Sequence, residues 1–498
     1  MLFNSYPFLF IFLPLTLLAF FGLAQLRLPR LSMVALTTAS FIFYAYWNPP
    51  YLLLLGFSIF INYMLGAVLS SEVYLKPFKK GVLVTGIGFN LALIGYYKYA
   101  AFLLSSLLPD SIFQAINTNL AIDSIFLPLG ISFFTFQQIT YLADAYQGKA
   151  KAYGLLDYSL FVSFFPQLIA GPIVHHSEVI PQFENLKTFF FNHRNFALGI
   201  VTFVLGLSKK LLIADNLSPW ANLVFDNASD VQFIEAWVGA LSYTLQLYFD
   251  FSGYSDMAIG LALMFNIRLP INFNSPYKAT SITDFWRRWH ITLSNFLRDY
   301  LYIPLGGSRQ GDARRYGNLM VTMLLGGLWH GAGWTFVLWG GLHGFYLSIN
   351  HFWRKWAVGL TLPRIVGWLL TFGAVVAGWV LFRAATFADA THLLQTMVGL
   401  NGLVVPGEAG GKLAVLTKSG LTLQPWGQLA YLPELHNSKV LPIGALIGLI
   451  GVCVKLPNTQ QLVAGLRPRW YWAMGLGGVS TLCLLSLNRV SEFLYFQF

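Results

Sequence analysis

Residues 316–352 read YGNLMVTMLLGGLWHGAGWTFVLWGGLHGFYLSINHF, and within them the stretch 324–344 sets two histidines, His330 and His343, in a segment otherwise as apolar and glycine-rich as a membrane span. An ionisable side chain at bilayer depth is costly and points to a lined cavity with a task. As one helix these 37 residues would extend ~55 Å, almost twice the ~30 Å of hydrocarbon thickness. The segment must break. A basic loop, Ser308 to Arg315, precedes it, and Arg354 and Lys355 follow it, so both ends read as cytoplasmic. The pattern predicts a hairpin that enters and returns, with its turn at Gly331-Ala332-Gly333 and His330 directly at the break. Irregular backbone at that depth is tolerated only where protein or a water-filled cavity surrounds it.

The rest of the chain sets the context for that hairpin. Of 498 residues, 56% are hydrophobic and only 10% charged, far below the ~25% charged of a soluble domain. Apolar runs recur at roughly 7–26, 32–47, 51–70, 81–99, 125–142, 153–174, 195–213, 233–264, 364–383, 440–456 and 470–488, each near the length of a span. They predict an all-α, polytopic membrane protein, one domain over 1–498. The first run lacks a basic n-region and a clear cleavage site, so it reads as a retained helix. Lysine and arginine exceed aspartate and glutamate by 11, an excess that suits membrane topology better than nucleic acid, which is not an expected partner. Arg27, Arg30, Lys76, Lys79 and Lys80 then place the basic loops inside and the N-terminus outside the cytoplasm. Cys453 and Cys483 lie in apolar runs without metal-ligand spacing and read as packing residues. The Gly- and Pro-rich stretch from Asp389 to Lys439 reads as an exterior loop with some short helix.

A second segment resists a simple span. In 284–300, DFWRRWHITLSNFLRDY, a helical period puts Asp284, Arg287, His290, Ser294 and Arg298 on one arc, opposite Phe285, Trp289, Leu293, Phe296 and Tyr300. An amphipathic helix lying in the interface is expected there, its polar arc facing water or a cleft. Of the nine histidines, His175 and His176 read as a solvated loop, and His343 as a packing or hydrogen-bonding residue. For His330 the residues leave three readings open: a neutral general base, a haem or metal ligand, or a structural histidine. No carboxylate or cysteine accompanies it, so no metal site is expected. Phosphate loops, GxSxG elbows and HExxH motifs are absent from the sequence.

Five stretches together resemble the membrane-bound O-acyltransferase family, in particular its alginate-type bacterial branch: FPQLIAGPI at 165–173, YFDFSGYSDMAIG at 248–260, 272–307, LLGGLWHGAGWTFVLWGGLHG at 324–344, and FLYFQF at 493–498. The resemblance implies a ring of tilted helices, with re-entrant and interfacial helices around a central tunnel. It implies a catalytic His330 with His290 as second polar residue, and substrate contacts from Arg287, Arg288, Arg298, Trp289 and Trp329. The implied donor is acetyl-CoA or another acyl thioester on the cytoplasmic side, with no cofactor or metal. The implied setting is the bacterial inner membrane, where an extracytoplasmic partner enzyme would pass the acetyl group to a secreted polysaccharide such as alginate. D-alanyl or acetyl transfer to teichoic acid, cellulose or peptidoglycan is the alternative within the fold. A non-catalytic transporter is less consistent with a single broken hairpin, because transporters tend to carry paired broken helices.

Overall fold

The computed structural model of the chain describes residues 1–120, 122, 125–357, 362–407, 421–467, 469–488 and 494. Among these, five helices are long and apolar enough to cross a membrane: Phe8–Gln25, Pro50–Ser70, Lys76–Leu107, His193–Phe225 and Arg364–Arg383. The architecture is overwhelmingly helical and multi-pass. Helices Pro29–Ala45 and Pro50–Ser70 open on proline, whose missing N–H is no loss in a first turn. The chain groups into two compact units.

The first unit comprises Met1–Leu207, Tyr254–Ile271 and Arg467–Leu487. Polar pairs join its helices from within. Asn90 Nδ2 donates to Asn62 Oδ1 at 2.6 Å, and Gln138 Nε2 donates to Ser58 Oγ at 3.1 Å. Such interhelical bonds contribute on average about 0.6 kcal/mol each in a membrane. The run at 153–174 is not the single span expected. It forms two short helices, Leu155–Ser163 and Phe165–Leu168, with Phe164 between them at φ −49°, ψ 108°. Pro166 has no N–H to offer the carbonyl of Val162, so one helix cannot run through. His176 is also not solvated. It is buried, with Nε2 3.1 Å from Asp144 Oδ2 and Nδ1 2.9 Å from the Tyr153 hydroxyl, while His175 caps helix His176–Glu184.

The second unit comprises Ser208–Gly253, Asn272–Leu466 and Asn488–Phe498. Its centre is the hairpin. Helix Asp312–His330 ends on His330, and helix Trp334–Trp356 returns along it. Gly327 and Gly340 form the crossing, where a Cβ on Gly340 would sit 2.2 Å from the carbonyl oxygen of Met323. Only glycine lets the two legs approach this closely. The amphipathic segment is not one helix. It divides into Ile282–Trp286 and Ile291–Leu297, followed by a π-turn over Arg298–Tyr302. Between them His290 adopts a left-handed conformation, φ 42° and ψ 54°, which a regular helix cannot accommodate. The stretch after Asp389 forms helix Phe387–Met397 and an unexpected parallel strand pair, Leu403–Pro406 with Leu421–Gln424; residues 408–420 lie outside those described. The FLYFQF motif also lies outside them, apart from Leu494.

Candidate functional site

The hairpin tip brings His330 into an aromatic box within the second unit. Its ring lies 4.9 Å from Trp329, 5.1 Å from Trp339, 5.3 Å from Phe382 and 6.4 Å from His290, centre to centre. The two histidines named from sequence, forty residues apart in the chain, are therefore neighbours. His330 is buried, and so are Trp329 and Trp289.

His290 reaches this box because the chain breaks at it. Asn272 directs the break: its side-chain oxygen accepts from Thr292 N at 3.3 Å and Thr292 Oγ1 at 3.0 Å, and lies 3.1 Å from His290 Nδ1. The backbone is stitched as well, Ile291 N to Asn272 O and Asn274 N to Arg288 O, both 2.9 Å. An amide oxygen can only accept, so the proton of His290 sits on Nδ1 and Nε2 carries the lone pair. His290 lies outside the apolar spans, and burial pushes its pKa down to about 3. It stays neutral at physiological pH. Phe251, edge-on at 4.7 Å, closes one side.

The expected arginines divide into two groups. Arg288 is engaged by Asp284, Nε to Oδ1 at 2.9 Å, and Arg298 by a bidentate contact to Asp299 at 2.7 and 2.8 Å. Arg287 is exposed and belongs to a basic cluster at the polar end of the hairpin. There Arg315 Nη2 donates to His351 Nδ1 at 2.7 Å, and Arg354 approaches Ser281 Oγ at 3.5 Å. Burial, then the charges of Arg315, Arg354 and Arg287, hold the His351 pKa below its ordinary value. Beside the cluster lies a cavity of about 330 Å³, whose lining includes Ser281, Tyr346, Asn350 and Trp353. Such a cluster suits phosphates.

Sequence reasoning gave no role to a buried charge cluster in this unit. Lys210 Nζ lies 2.7 Å from both Asp215 Oδ1 and Asp250 Oδ1, and Asp250 also accepts from Leu494 N at 3.2 Å. The signal was available, since Lys210 and Asp250 stand inside the apolar runs 195–213 and 233–264. Among the described residues no group of three or more potential ligands could hold a metal ion.

Comparison with known proteins follows the same residues. The model of the membrane-bound O-acyltransferase family matches residues 48–387. A peptidoglycan O-acetyltransferase of Helicobacter pylori is 48% identical over 81% of this chain and 81% of its own length. A probable alginate O-acetylase AlgI of Pseudomonas putida is 40% identical, with 100% of both chains covered. A teichoic acid D-alanyltransferase of Bacillus subtilis is more distant, at 26% over 52% of this chain and 69% of its own.

Proposed function

The chain belongs to the membrane-bound O-acyltransferase family, and from that premise we propose that it takes acetyl groups from acetyl-CoA on the cytoplasmic side and passes them outward for esterification of a secreted glycan. The observation that carries this reading is the pairing of His330 with His290, 6.4 Å apart in a buried aromatic box at the broken tip of the hairpin. Arg287, Arg315 and Arg354 receive the phosphates of the donor. His330 acts as general base, taking the proton of an acceptor hydroxyl as its oxygen attacks the thioester carbonyl. The C–S bond then breaks, and the departing thiolate takes the proton from His330. His290, neutral with its lone pair on Nε2, accepts a hydrogen bond and so orients the reacting hydroxyl or the protonated His330. An extracytoplasmic partner enzyme in the bacterial inner membrane system completes delivery to the polymer.

Alginate-type exopolysaccharide is the acceptor this reading favours, because the AlgI-type relative is matched along its whole length. Peptidoglycan is a second reading, favoured by the higher identity to the Helicobacter pylori enzyme. The test supplies radiolabelled acetyl-CoA outside sealed proteoliposomes of the purified chain, with a polysaccharide acceptor present. Release of free CoA is expected; label that crosses intact without CoA release would make the protein a transporter instead.

A further inference from the structure

We propose that Trp339 and His343 form the hydrogen-bond donor pair that stabilises the oxyanion of acyl transfer at His330, an inference that rests on the acyl-transfer reading above. Both side chains are fully buried, at 1% and 0% exposure. Trp286 Nε1 donates to His343 Nδ1 at 3.3 Å. A lone pair that accepts a hydrogen bond bears no proton, so the proton of His343 is on Nε2, which is a donor. Trp339 Nε1–H is a donor in any state. Neither N–H has an acceptor among the described residues.

These two orphaned donors converge. Gly378, on helix Arg364–Arg383, has no side chain, and a Cβ there would lie 2.9 Å from His343 Nε2 and 3.5 Å from Trp339 Nε1. The same helix supplies Phe382 to the box around His330. Trp339 stands between the two histidines, its ring 5.1 Å from His330 and 4.8 Å from His343. Buried N–H groups are almost always paired, so two that approach one point of the wall this closely call for an acceptor from outside the described residues.

The acceptor they fit is a single oxygen that gains negative charge. As the hydroxyl oxygen bonds to the acyl carbon, the carbonyl π pair moves onto oxygen and His330 holds the proton. When the carbonyl reforms, the C–S bond breaks and the thiolate is protonated by His330. Two neutral donors preorganised in a dry site favour the charged intermediate over the neutral ester, which is how binding becomes rate.

The test uses the full chain in nanodiscs with a polysaccharide acceptor and measures CoA release from acetyl-CoA, as kcat and KM per folded protein. Trp339→Phe removes one N–H and keeps an aromatic ring. Its kcat is expected to fall by about 10- to 1,000-fold with KM within about twofold. His343→Gln, whose amide nitrogen replaces Nε2–H, should retain more kcat than His343→Leu. Gly378→Ala places a methyl against both nitrogens without touching either residue, and should reproduce the kcat loss if Trp339→Phe does not fold. Wild-type kcat in Trp339→Phe and Gly378→Ala, or a change confined to KM, overturns the donor pair. If His330→Ala also keeps wild-type kcat, it is the parent reading that fails.

Discussion

His290 shows how a single residue is placed by partners far away in sequence. The expectation of a continuous polar arc rested on local periodicity, and local periodicity was overruled by Asn272, eighteen residues upstream, whose oxygen gathers three donors around the break. That contact could not be read from spacing, although NFN at 272–274 was on the page. Removing it is therefore informative: Asn272→Ala should destabilise the protein by about 1–3 kcal/mol by orphaning buried donors, and lower acyl transfer at normal abundance, measured as melting temperature and CoA release. An unchanged melting temperature and rate would remove Asn272 from the account. His351 gives a pH test. Its pKa lies below the ordinary 6.5, so it is neutral near pH 7 and gains charge only as pH falls below that value. Added charge beside donor phosphates tightens binding, so the KM for acetyl-CoA should fall as pH drops below about 6.5, relative to His351→Gln. Parallel pH profiles in the two proteins would contradict the assignment.

Among the elements, the hairpin was the most legible, because length alone forbade one helix and the glycine run named the break. The glycine crossing within it was less so: Gly327 meeting Gly340 is a contact between two legs that sequence shows only as many glycines. Gly340→Val should force the legs apart at a cost of about 1–3 kcal/mol or more, read as a lowered melting temperature; a variant as stable as the parent would deny the close crossing. Cysteines introduced at Ser308 and Lys355 test the direction of entry. A membrane-impermeant maleimide should label both from the cytoplasmic side only, and labelling from opposite sides would turn the hairpin into a span. Elsewhere apolar content misled. The run at 153–174 has the length of a span but carries Pro166, and the stretch expected to be a loop holds a strand pair whose partners lie eighteen positions apart. A window of hydropathy sees neither a missing N–H nor a distant partner.

At the scale of the whole molecule, the family, the all-helical membrane class and the acyltransferase activity were legible because several motifs recur in order along most of the chain. The pairing of the arginines was not, since the resemblance gave Arg288 and Arg298 the same standing as Arg287 and could not show that Asp284 and Asp299 engage them. His343, read as a packing or hydrogen-bonding residue, gained a specific partner through one hydrogen bond spanning 57 residues, from Trp286. The acceptor polymer is read by assaying ester-linked acetyl separately on exopolysaccharide and on peptidoglycan in the native host. The central claim, that His330 performs the acyl transfer, is tested most directly by His330→Ala at verified membrane abundance. A fall in CoA release and polymer acetylation of at least about 100-fold is predicted, and wild-type acetylation would contradict it.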